Sequence, residues 1–212
     1  MNPREHYYEQ LSTTIGKNLE KRNMAYSYCK TAKDAVACGL SLLKDGDIVS
    51  FGGSMTLTET GMLQALKETV GIQLLDRSTA STPEETTQIY RDSFSANAFF
   101  MSTNAITIDG ELVNTDGIGN RVAALVFGPE KVIILAGMNK VVPTLEAALG
   151  RIRTIAAPPN AIRLNRSTPC AVTGTCSDCL SPDCMCGQTV ITRRSSIQNR
   201  IHVILIGESY GY

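Results

Sequence analysis

Apolar residues recur along the chain in two rhythms. Between Tyr7 and Lys21, Tyr8, Leu11, Ile15 and Leu19 fall three and four apart, the stripe of an amphipathic helix, weakened at Gly16. Thr31-Ala32-Lys33-Asp34 is a capping-box variant, and Ala35, Cys38, Leu42 and Leu43 mark the inner face of a second helix. After the turn Asp45-Gly46-Asp47, Ile48-Val49-Ser50-Phe51 reads as a short buried strand ending at Gly52-Gly53. A third helix is predicted over Glu59 to Glu68, stopped by Gly71, and a strand over Ile72 to Leu75. Thr82-Pro83-Glu84-Glu85 joins an N-cap, a proline at the first helical position and a glutamate three residues on, so a helix runs to about Phe94. Ala98 to Met101 is a strand, and Ile106 to Val113 a hairpin centred on Asp109-Gly110. A short helix, Arg121 to Phe127, precedes Gly128-Pro129, and Lys131 to Leu135 is a β-branched strand. A long helix follows from Val142 to Ile155, with Leu145, Ala148, Leu149 and Ile152 on one face. Ile201 to Ile206 is the last strand.

Short apolar strands alternating with amphipathic helices imply an α/β fold, a three-layer, mostly parallel sheet with helices on both faces. At 212 residues one domain, 1–212, accounts for the chain. The stretch from 169 to 187 breaks the pattern as a polar, cysteine-rich C-terminal excursion.

Composition narrows the chemistry. Twenty basic and twenty acidic residues give no net charge, which argues against a nucleic-acid partner. No apolar run approaches the roughly 20 residues that span a bilayer, and the first residues lack the apolar core of a secretory signal, so a cytoplasmic location is expected. There are two histidines, His6 in a polar segment and His202 inside the last strand, so triads and histidine-rich metal sites are unfavoured and structural roles expected.

In an open parallel sheet, ligands bind beyond the carboxyl ends of the strands. Three such ends carry polar groups. At Gly52-Gly53-Ser54-Met55-Thr56 a strand meets two glycines, then hydroxyls, then a helix; this suits a phosphate or carboxylate, or is a tight turn with Thr58 as N-cap. Asn104, followed by Asp116-Gly117-Ile118-Gly119-Asn120-Arg121, supplies amides, a carboxylate and a guanidinium able to hold an anion bidentately; the alternative is a set of Asx-turns. Glu208, after the last strand, is a candidate base alongside Asp116, or a loop cap.

Gly52-Gly53-Ser54-Met55-Thr56-Leu57, Asn104-Ala105-Ile106-Thr107-x-Asp109-Gly110, Asn114-x-Asp116-Gly117-x-Gly119-Asn120-Arg121-Val122-Ala123-Ala124, Gly137-x-Asn139-Lys140, Arg151-Ile152-Arg153, Ala157-Pro158-Pro159-Asn160-Ala161 and Gly207-Glu208-x-x-Gly211-Tyr212 together resemble the LUD family, the lactate-utilisation proteins. The resemblance spans nearly the whole chain. It implies a fold like that of ribose-5-phosphate isomerase, glucosamine-6-phosphate deaminase and the CoA transferases. It also implies a component of a system oxidising L-lactate or a related small hydroxy acid, with iron–sulfur redox subunits as partners and a small anionic metabolite, carboxylate or phosphate, as ligand. A homo-oligomer is left open. Two rival readings are an independent isomerase or transferase acting on a phosphorylated or CoA-linked metabolite, and a metal-loop adaptor docking to an iron–sulfur partner.

Five of the seven cysteines crowd into Cys170-x5-Cys176-x2-Cys179-x4-Cys184-x-Cys186. A Cys-x2-Cys pair lets two thiolates grip one metal, and two further thiolates complete a zinc or iron–sulfur set. Free redox-active thiols and disulfides are the alternatives. An iron–sulfur cluster is preferred to zinc here only because the resembling systems are redox systems.

Overall fold

The computed structural model describes residues 2–212. In chain order, α1 (Pro3–Lys21), β1 (Ala25–Cys29), α2 (Ala32–Ser41), β2 (Ile48–Phe51), α3 (Met55–Glu59), α4 (Met62–Glu68) and β3 (Gln73–Leu75) come first. Then follow α5 (Pro83–Asp92), β4 (Ala98–Met101), β5 (Ala105–Thr107), β6 (Leu112–Asp116), α6 (Asn120–Val126) and β7 (Lys131–Gly137). The chain ends with β8 (Val141–Val142), α7 (Leu145–Arg151), α8 (Ala157–Arg163), α9 (Pro169–Thr173), β9 (Gln188–Thr192) and β10 (Ile201–Ile206).

Six strands pair in parallel in the order β1-β10-β7-β4-β2-β3. Alternate residues of the central strands feed two cores, one on each face. Val132, Ile134, Val203, Leu205, Phe99 and Met101 pack with Ile15 and Leu19 of α1. Ile133, Leu135, Ile204, Ile206 and Phe100 pack with Ala35 of α2 and Met62 and Leu66 of α4. Burial on both faces is why these strands read as unbroken apolar runs.

A second, mixed sheet, β8-β5-β6-β9, was not expected. The hairpin of β5 and β6 lies as predicted, with Gly110 at φ +85° in its turn. β8 adds in parallel to β5, and β9 antiparallel to β6, Asp116 facing Gln188. This pairing fixes where the cysteine excursion returns, directly beside the end of β6.

Two predicted elements change. The helix expected over Glu59–Glu68 is two, because the chain breaks at Gly61 with φ +81°, a left-handed conformation that glycine adopts without steric cost. Its start is earlier, with Ser54 as N-cap in place of Thr58, accepting from the amide of Leu57 at 3.3 Å. The long helix begins at Leu145 and continues to Arg163 through a wide turn at Ile152–Ala156. Pro158 and Pro159 lack the amides that would bond four residues back, so the ladder opens and restarts at α8.

Candidate functional site

Beyond the carboxyl ends of β2, β4 and β7 lies a cleft of about 110 Å³. Gly53, Ser54 and Thr56 form one wall; Ser102, Thr103 and Asn104 a second; Thr115, Asp116 and Arg121 a third. Lys140 forms the floor, Gly211 closes one side, and Asn160 and Arg163 of α8 stand at the mouth. Two of the three polar strand ends singled out in the sequence therefore meet in one place.

Arg121 organises the walls. Its Nε donates to Asp116 Oδ1 at 2.9 Å. Nη1 donates to the carbonyl of Ser102 at 3.1 Å and to Asn114 Oδ1 at 2.5 Å. Nη2 donates to Asn104 Oδ1 and the carbonyl of Thr115, both at 3.1 Å. All five donors of the guanidinium thus have protein acceptors. The expected bidentate grip on an anion has no donors left to make it, and Arg121 positions the loops instead. Asp116 is committed likewise: its Oδ2 accepts from the amides of Arg121 and Val122 at 3.1 and 3.0 Å, capping α6.

The glycines divide by role. A Cβ on Gly52 would come within 3.0 Å of the Arg121 side chain, so this glycine makes room for the organising arginine. Gly119 adopts φ +86° as the residue before α6 and faces Gln188 of β9, and Gly117 lies against Met185. Neither of them, nor Asn120, lines the cleft. Glu208 lies outside the cleft as well, accepting from the amide of Ala32 at 2.9 Å and from the Tyr210 hydroxyl at 2.8 Å. It caps the start of α2. His202 is half-buried against Ser27 Oγ at 2.9 Å; burial, then Lys131, hold its pKa below the ordinary value.

Lys140, which stands in the Gly137-x-Asn139-Lys140 block but was assigned no site role, is the remaining group of the cleft. It is 4% exposed, yet its Nζ donates only to Ser102 Oγ, at 3.2 Å. An ammonium has three donors, so two remain for the cleft. Burial, then the guanidinium groups of Arg151 and Arg121, push its pKa down to about 7, against an upward pull from Glu59. Its signal in the sequence was its place in that block, three residues past the end of β7. Arg151 is held by the carbonyls of Asn139 and Asn104 and keeps its charge beside Lys140.

The five loop cysteines line a second cavity, of about 510 Å³, together with Leu149, Ile152 and Met185. All five are free thiols. The amide of Asp178 donates to Cys176 Sγ at 3.5 Å and that of Cys186 to Cys184 Sγ at 3.4 Å. Cys186 is exposed as a residue, yet its thiol is pushed up to about 11, by desolvation first and then by Cys184, Cys176 and Cys170. Hydrogen bonds centred on Ser181, with a further one from Cys184, lower the pKa of Cys179. Among the described residues, no three of His, Cys, Asp and Glu stand at the separations that hold a single ion. A small gap of about 30 Å³, bordered by Asn104, Thr115, Asn160 and Cys186, lies between this cavity and the polar cleft, and Thr115 touches all three spaces.

The sequence matches the LUD domain over residues 13–206. The protein belongs to the LUD domain family. No curated protein matches it. A DUF162 family protein from Deinococcus radiodurans, known from a crystal structure, has the same fold at 12% identity, with a TM-score of 0.55 over 93% of this chain and 97% of that one. More distant likenesses include ribose 5-phosphate isomerase A from Methanocaldococcus jannaschii (TM-score 0.35, 17% identity, 74% of this chain and 64% of that one). Another is eIF2B delta from Chaetomium thermophilum (TM-score 0.37, 18% identity, 68% of this chain and 54% of that one). The chain has the α/β architecture, with a mostly parallel sheet, that the family resemblance implied. Among the described residues no helix is long and apolar enough to cross a membrane.

Proposed function

We propose that this LUD domain binds a small organic acid of the lactate and pyruvate class in the Lys140 cleft, as one component of a system that oxidises it. The observation that carries the reading is Lys140, a buried amine with one protein partner at the floor of a polar cleft. A carboxylate beside it supplies the missing acceptors and favours the ammonium form. Ser54, Thr56 and Asn104 add polar groups for a hydroxyl or keto oxygen, and Arg163 adds a second cation at the mouth. At about 110 Å³ the cleft is well below the roughly 300 Å³ at which drug-sized ligands begin, which favours a three-carbon acid over a sugar phosphate or a CoA ester. Oxidation is supported by family membership and by the thiol-lined cavity one layer away.

The test is calorimetric titration of the wild type and of Lys140→Met with L-lactate, pyruvate, phosphate and sulfate at pH 6.5. The reading expects a carboxylate to bind the wild type and to bind Lys140→Met at least tenfold more weakly, the scale of one charge-assisted hydrogen bond lost. Absence of carboxylate binding, or equal affinity in both proteins, overturns it.

A further inference from the structure

The cysteine loop is built inside out. Val172 and Leu180 are 84% and 99% exposed, and all five thiols border the cavity, with Leu180 and Met185 beside them. Segments that fold by burial turn leucine inward and leave polar groups outside. Here burial of apolar side chains does not order the loop; all five sulfurs face one cavity instead, and no disulfide joins them. The chain is clamped at both ends, by α8 before it and by the pairing of β9 with β6 after it, so the thiols are presented to one fixed space.

We infer that this cavity holds an iron–sulfur cluster, ligated by Cys176, Cys179 and two of Cys170, Cys184 and Cys186. Four thiolates are the usual ligand set of such clusters. The amide-to-sulfur bonds onto Cys176 and Cys184 suit sulfurs that carry negative charge. Ligand spacing separates the candidates. A tetrahedral zinc, with bonds of about 2.3 Å, draws its four sulfurs to within about 3.8 Å of one another and leaves no room inside. Among the described residues no three candidate ligands stand at the separations that hold one ion, whereas all five thiols border one cavity, which suits a polynuclear occupant. Binding deprotonates each ligating thiol and releases one proton per sulfur. The cluster's near edge is Cys186, which borders the gap toward Asn104 and Thr115 of the polar cleft. The site stands on the thiols alone and does not depend on the cleft's being an anion site.

The experiment uses the full chain prepared without oxygen. Iron and acid-labile sulfide are measured in the wild type, in Lys140→Met and in Cys176→Ser/Cys179→Ser, and zinc is measured beside them. The cluster predicts iron and sulfide in equal amounts in the first two proteins and loss of both in the third. Alkylation read by intact mass gives a second line that needs no variant: chelation of the wild type should expose thiols that were protected before it. Wild type with stoichiometric zinc, wild type with neither iron nor sulfide, or a double variant that keeps its iron each overturns the inference. Lys140→Met separates the two readings: it should lose anion binding and keep its iron, and a wild type that holds iron but binds no carboxylate tells against the cleft alone.

Discussion

Replacing Lys140 with methionine keeps the length of the side chain and deletes its ammonium. In the folded protein burial, then Arg151 and Arg121, hold this amine at about 7, whereas its ordinary value is 10.5. Below pH 7 both the folded and unfolded chains carry the proton, and the whole cost of a buried cation weighs on the fold. Between pH 7 and 10.5 the unfolded chain binds the proton and the folded chain does not, so stability rises with pH through that window. Read downward, the stability present above 10.5 is lost as pH falls through 7. The gap between the two values corresponds to about 5 kcal/mol, of which about 2 kcal/mol is recovered between pH 7 and pH 9. Urea unfolding of wild type and Lys140→Met at pH 6, 7, 8 and 9 isolates the contribution, because other titrating groups cancel in the difference. Lys140→Met should be the more stable protein at pH 6, with an unchanged urea slope, and the wild type should gain on it by about 2 kcal/mol from pH 7 to pH 9. A difference that stays flat with pH, or a variant less stable than wild type at pH 6, refutes the placement of a desolvated amine at this position.

Arg121→Ala removes the guanidinium donors to Asp116, Asn114 and Asn104 and leaves these acceptors only their backbone amides; about 3–5 kcal/mol of stability should be lost, and Arg121→Lys should recover little of it in the same unfolding assay. Gly16→Ala in an isolated helix gains about 1 kcal/mol. Here the new Cβ collides with the ring of Tyr26, so a thermal melt should show about 1–3 kcal/mol of destabilisation instead. Glu208→Gln weakens the contact onto the first amide of α2, costing about 1 kcal/mol, and leaves the affinity of the cleft for carboxylates where it was.

The parallel sheet was legible because its inner strands carry apolar residues toward both faces, as Ile133 and Ile134 do toward opposite cores. What escaped has physical causes. β1 reads Ala-Tyr-Ser-Tyr-Cys, half polar, because it is an edge strand paired only to β10, and Ser27 is used by His202. β8 and β9 are made by pairing to the β5–β6 hairpin, an interaction distant in sequence that neither Val141-Val142 nor Gln188-Thr189-Val190-Ile191-Thr192 announces locally. The split at Gly61 was written in a glycine that resembled an ordinary interior residue.

At the candidate site, the structure brings some of the expected groups together in one cleft and commits others to the fold. Ser54, Thr56, Asn104 and Asp116 line it as expected. Arg121 lines it with every donor taken, and Glu208 serves α2. A free and a satisfied guanidinium look alike in sequence, because the acceptors of Arg121 come from the ends of β4 and β6 and from Asn104. Lys140 escaped for the converse reason. Its environment is set by burial first and then by Arg151, Arg121 and Glu59, which come from separate elements of the chain.

The central claim is that an anion binds where Lys140 gives up its proton in the empty cleft and takes one up to hold the ligand. Proton uptake on binding tests this most directly. Titration of L-lactate or pyruvate into the wild type at pH 8, repeated in buffers of different ionisation enthalpy, yields the number of protons taken up per ligand bound. With the amine at about 7, the account predicts uptake of about 0.9 proton per site at pH 8 and an affinity that falls about tenfold per pH unit above 7. A carboxylate that binds at pH 8 with no proton uptake, and equally well at pH 9, contradicts it.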